Sequence, residues 1–214
     1  MEVLGKSISE SIERIYQQIK NQYGNITLIY CRNGSECSTE QINPNGFKIT
    51  IDTSLPDDYF GEVFLHEHCH ILQYKEGYKD LRCQDQISFM LNDAIMDIDV
   101  HRRLKNDYNY QYGTYGSNKL YDNTYTMIQK LTQPQPQELF FQLVISLVLY
   151  RTCYNQTEGD RIIDILSQNN ESAAYYLQGF LQLVNEYPNT NKDDNRQLLL
   201  KSARLFGITH PQII

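Results

Sequence analysis

The chain lacks several features that would place it quickly. No stretch of apolar residues is long enough to span a bilayer: the most apolar run, residues 140–149, is interrupted by Gln142 and Ser146. No cationic start is followed by an apolar run. Residues 1–20 read as a polar amphipathic helix, so no secretory leader and a cytoplasmic setting are expected. Five cysteines (Cys31, Cys37, Cys69, Cys83 and Cys153) show no paired zinc-finger spacing, which fits reduced thiols, with a local Cys31–Cys37 bond as a minor alternative. Lys and Arg number 19 against 26 Asp and Glu, giving a net charge of −7. The few cations form no stripe, so nucleic acid is not expected as a partner and a membrane surface is not favoured. Internal repeats are absent, and the one biased tract is residues 133–137. With 214 residues and no clear linker, a single domain is expected, large enough to bury a core.

What is present is concentrated at His66-Glu67-His68-Cys69-His70. The preceding residues, 59–65, carry apolar side chains at helical spacing, and Ser54, Pro56, Asp57 and Asp58 signal a helix start. Lys75-Glu76-Gly77 marks its end. On a helix, residues four apart are separated by about 40° around the axis, so His66 and His70 share a face. That geometry suits two nitrogen ligands of a tetrahedral metal ion. Glu67 is turned by about 100° from His66, within reach of a metal-activated water, as a general base requires. Phe64, Leu65, Ile71 and Leu72 fall on the opposite side and predict a helix packed from behind. His68 projects to that packed side and reads as a core histidine with local partners. Cys69 reads as a small buried thiol.

A second helical pattern runs over residues 84–105. Within it, Asp93 and Asp97 share the apolar face with Phe89, Met90, Val100 and Leu104. Carboxylates on a buried stripe are costly unless they serve a cation or a group that does. Asp99, Arg102, Arg103 and Asn106 lie opposite and read as a solvated face.

With both segments in view, the chain resembles the gluzincin metallopeptidases. Their mark is His-Glu-x-x-His followed by a helix bearing Asn-Glu-x-x-x-Asp; here the corresponding segments are His66-Glu67-x-x-His70 and Asn92-Asp93-x-x-x-Asp97. The likeness covers residues 47–105 and is closest to minimal members of that group. It implies one zinc held by His66, His70 and Asp93, Glu67 as general base, and Asp97 as the carboxylate behind His66. Asp93 is one methylene shorter than the family's glutamate. An alternative therefore stays open, in which Asp97 is the third ligand with Asp93 or His101 supporting it. The resemblance also implies that the strand before the active-site helix, residues 48–52, is a sheet edge that binds substrate backbone, with a plain structural strand as the alternative.

The rest of the chain supplies the frame. Residues 25–31 and 46–52 read as short strands, the second alternating Phe47, Ile49 and Ile51 with polar residues. Helices are expected over 138–154, 160–168, 171–186 and 193–206. The tyrosine-rich segment 107–125, with Tyr108, Tyr110, Tyr112 and Tyr115, could line a cleft or stabilise an oxyanion, and nothing in its pattern singles out one ring. The sequence thus predicts an α+β fold: a small mixed or antiparallel sheet, a zincin helix pair within a core of residues 1–106, and a mainly helical part over 107–214. The expected activity is zinc-dependent hydrolysis of a peptide or protein. The alternative is a metal-binding regulatory or interaction protein that keeps the scaffold without turnover.

Overall fold

The alternation of Phe47, Ile49 and Ile51 places three large side chains on one side of a strand, and all three are fully buried. In the computed structural model of the protein, which describes residues 1–34, 37–82, 85–110, 112–113, 118, 122 and 136–214, this strand is β5 (Gly46–Asp52). It is the central strand of three, with β3 (Thr27–Asn33) parallel on one side and β4 (Ser38–Asn43) antiparallel on the other. The expectation that residues 48–52 form a sheet edge is therefore corrected. Both backbone edges of β5 are used in pairing, and the strand beside it at the sheet margin is β4. The N-terminal expectation changes too. Residues 1–20 do not form one helix: β1 (Glu2–Val3) and β2 (Lys6–Ser7) pair as a tight hairpin. Leu4 and Gly5 both have positive φ, 53° and 80°, as a two-residue turn of that hand demands. Helix α1 (Glu10–Tyr23) starts only afterwards, with Ser9 Oγ accepting from the Ile12 amide at 3.4 Å.

Two compact units make up the chain, one of residues Met1–Gly77 and Val100–Tyr115, the other of Tyr78–Asp99 and Gly116–Ile214. In the first unit, α1 buries Ile12, Tyr16, Ile19 and Tyr23 against α2 (Asp57–Glu76). The approach is close at Gly61, where a Cβ would stand 3.1 Å from Ile12, so a side chain there would push the helices apart. α2 begins after Pro56 and stops at Gly77, whose φ of 85° lets its amide reach back to the Gln73 and Tyr74 carbonyls. Phe60, Phe64, Leu65, Ile71 and Leu72 of α2 are buried. Helix α3 (Gln86–Arg102) ends in a π-turn, Arg103–Asp107. Asp99 and Arg103, expected on a solvated face, are instead buried, and Arg103 forms a two-pronged ion pair with Glu76. Asn106 is exposed as expected.

The second unit contains α4 (Gln137–Leu149), α5 (Gln156–Asn169), α6 (Glu171–Glu186) and α7 (Lys192–Leu205). The helical C-terminal half is thus as the sequence predicts. Asn155, Asn170 and Asn191 cap α5, α6 and α7 by accepting amide hydrogens at 3.1, 3.0 and 2.9 Å. A cap contributes about 1 kcal/mol, whereas each buried Leu or Phe contributes roughly 1.5–3 kcal/mol. The core built on Phe141, Leu147, Leu177, Phe180 and Leu199 therefore decides the stability of this unit. No helix among the described residues is long and apolar enough to cross a membrane. Cys31, Cys37, Cys69 and Cys153 form no disulfide among the described residues, and Cys69 is buried. Cys83, Tyr115 and Pro134 lie outside the described residues.

His68 sits in the first core as the sequence predicts, fully buried among Tyr16, Tyr23, Tyr30 and Phe64. Its Nδ1 lies 2.6 Å from the Phe64 carbonyl, so Nδ1 donates and Nε2 accepts from the Tyr30 hydroxyl at 2.9 Å. Burial pushes its pKa down to about 4. The folded chain thus binds this proton more weakly than the unfolded chain does. The neutral ring's contribution to stability is full above the ordinary value of 6.5 and is lost as pH falls from 6.5 towards 4. Nitrogen NMR of the folded protein should show His68 neutral, with the proton on Nδ1, down to about pH 4. A titration midpoint near 6.5 would contradict the buried cage.

Candidate metal centre

The spacing of His66 and His70 delivers the convergence expected of a helical pair. Their rings lie 4.8 Å apart at 77°, and the two Nε2 atoms are separated by 3.1 Å. Two nitrogens bound at 2.0–2.1 Å to a tetrahedral ion would stand about 3.3 Å apart, so the pair is already at chelating distance. His70 Nδ1 is 2.8 Å from Gln73 Oε1, one helical turn further along α2.

The third candidate ligand comes from α3. Asp97, half-buried, offers a carboxylate oxygen that groups with one nitrogen of His66 and one of His70, all three atoms within 4.8 Å of one another. Asp93, one turn earlier, is exposed and is not a member of that group. Of the two aspartates considered as third ligand, Asp97 is the one that this group contains. One turn after Asp97 on α3, His101 is buried with its ring 5.4 Å from that of His66. His101 and His66 thus lie side by side within the first unit. Two imidazoles and one carboxylate form a donor set that zinc accepts, so the residues fit a single divalent ion.

Glu67 projects away from the histidine face, as the 100° turn per residue requires. It is only 4% exposed. Thr39 on β4 holds it: the hydroxyl lies 2.8 Å from Glu67 Oε2 and 2.8 Å from the Glu67 carbonyl oxygen. One hydroxyl proton is therefore shared between two acceptors, both on the same residue. This partner carries no local signal in the sequence, since the contact spans 28 positions and is made by strand placement.

Three more residues were not singled out by sequence. Glu62, one turn before His66 on the same face of α2, is buried, and the Gly113 amide donates to its Oε2 at 3.1 Å. Burial pushes its carboxyl up to about 7, while the Gly113 bond and the nearby His66 pull the other way. Its i−4 spacing to His66 was a readable signal. Tyr112 packs its ring 4.9 Å from His101, which distinguishes it among the described tyrosines of the segment, and Tyr110 stacks edge-on against Tyr112. Gln73 is fully buried, and its i+3 spacing from His70 was also readable. No family model matches the chain, and neither a curated protein nor a solved structure matches it.

The grouping predicts an order of metal affinities. Zinc titration against a competing chelator should give about one ion per chain for wild type and none for His66→Ala or His70→Ala. Asp97→Ala should lose zinc at micromolar free metal, whereas Asp93→Ala should bind within a few-fold of wild type. The reverse order of the two aspartates would remove Asp97 from the centre.

Proposed function

We propose that the chain is a zinc-dependent peptidase of the gluzincin kind, with His66, His70 and Asp97 holding the metal and Glu67 acting as general base. The observation that carries the reading is the convergence of His66 Nε2 and His70 Nε2 at 3.1 Å on a helix whose next residue after His66 is an anchored glutamate. Bound in this centre, zinc would supply Lewis acidity toward a carbonyl oxygen and toward water. Glu67 would take a proton at its carboxylate and return it to the leaving amine. Thr39 orients that carboxylate by donating to Oε2, and burial of Glu67 limits the competing positions that solvent would otherwise allow.

Substrate backbone has a place to bind. β4 is at the margin of the sheet, and it also carries Thr39. An extended peptide adding to β4 by main-chain hydrogen bonds would run past Glu67 and the histidine pair. The edge-strand role expected of residues 48–52 passes to β4 in this reading.

Chemistry and binding separate cleanly in two variants. Glu67→Gln should retain zinc and fold while losing hydrolysis of a mixed peptide library, because an amide cannot accept the proton. Thr39→Val should retain zinc and slow turnover by about tenfold, the worth of one orienting hydrogen bond, with Thr39→Ser restoring most of it. Turnover that survives in Glu67→Gln would rule out this general base. Zinc binding by wild type without turnover of any peptide would favour a metal-binding regulatory protein instead.

A further inference from the structure

We infer that Gln73 is a positioning residue that presets His70 as a metal ligand. Oε1 of a glutamine can only accept, so the 2.8 Å contact requires the proton of His70 to sit on Nδ1. A neutral imidazole carries one N–H. In that neutral ring Nε2 carries no hydrogen and presents its lone pair, and Nε2 is the atom 3.1 Å from His66 Nε2. In water the opposite tautomer of histidine is the more populated, so the contact selects against the ring's ordinary preference.

Gln73 is suited to this by its environment. Its side chain is fully buried, and a buried amide is costly unless bonded, which makes the contact persistent. The bond is made within α2, at i to i+3, so it forms with the helix and needs no loop to close. The 3.1 Å contact between the two Nε2 atoms then has a defined polarity in the metal-free chain. Its proton belongs to His66 Nε2, which donates to His70 Nε2. The pair is asymmetric: His70 is ready to ligate, while His66 has to move its proton off Nε2 first. An acceptor behind a ligating imidazole also raises its basicity.

The inference rests on the metal centre proposed above but not on peptidase activity. Nitrogen NMR of the metal-free chain should show His70 protonated on Nδ1 and His66 on Nε2. In Gln73→Leu, His70 should revert to the Nε2–H form, and zinc affinity by chelator competition should fall by roughly 10–100-fold. Gln73→Glu, which keeps an acceptor at the same place, should bind zinc at least as tightly as wild type. If Gln73→Leu does not fold, the wild-type tautomer and the Gln73→Glu affinity still decide. His70 protonated on Nε2 in wild type, unchanged zinc affinity in Gln73→Leu, or weakened binding in Gln73→Glu would each overturn the role. A wild type that binds zinc with these tautomers and hydrolyses nothing would reject the peptidase reading alone, whereas one that binds no zinc would overturn both.

Discussion

The candidate site depends on one constraint: α2 must be held rigidly enough that two imidazoles four residues apart meet at a single point. A helix supplies the angular relation for free, yet side chains on a loosely held helix would sample many rotamers. Here the rear of α2 is locked by Phe60, Phe64, Leu65, Ile71 and Leu72, all essentially buried, and by the close approach of Ile12 at Gly61. Its far end is tied by Gly77 and by the ion pair of Glu76 with Arg103. An interior packed to crystal-like density leaves little room to move, so side chains on the open face inherit a fixed origin. Four polar side chains of α2 are buried, and each of the four has a partner. His68 is satisfied at both nitrogens, Glu67 by Thr39, Glu62 by Gly113 and Gln73 by His70.

The polar contacts around the histidine pair reach sideways along α2 and across to the sheet. Thr39 makes β4 part of the site, since the orientation of Glu67 depends on where that strand lies against the helix. His101 brings the end of α3 to His66, and Tyr112 covers His101 from the segment that follows. Sheet, α2 and the chain after α3 therefore each contribute to one small region of the first unit. The charge arrangement is consistent with a cation. Two carboxylates, Glu62 and Glu67, are buried on α2, the helix that carries the histidine pair.

Local features were legible in sequence, and those set by long-range placement were not. His66, Glu67, His70, His68 and the Gly77 stop follow from helical periodicity and turn chemistry within twenty residues. The extent of β5 and of α6 was readable for the same reason: alternation or 3.6-residue spacing bounded by clear breakers. The rank of β5 as central strand was not, because strand order depends on which neighbours pair with it. Asp93 and Asp97 share one face of the periodic pattern, and such a pattern fixes a face but not a height along it, so it does not choose between them. Asp99 and Arg103 were misread because a wheel built from α3 alone omits Glu76, the partner that makes burial of Arg103 affordable. The N-terminal hairpin was missed because its strands are two residues long, and its turn places Leu4, not a usual turn residue, at positive φ.

The central claim is that His66, His70 and Asp97 hold one metal ion. Anomalous diffraction from crystals of the zinc-loaded chain, recorded on both sides of the zinc edge, tests it most directly. The account predicts a single strong zinc peak within about 2.0–2.2 Å of His66 Nε2, His70 Nε2 and an Asp97 carboxylate oxygen. A peak ligated by Asp93 in place of Asp97, or no peak between the two histidines, would contradict it.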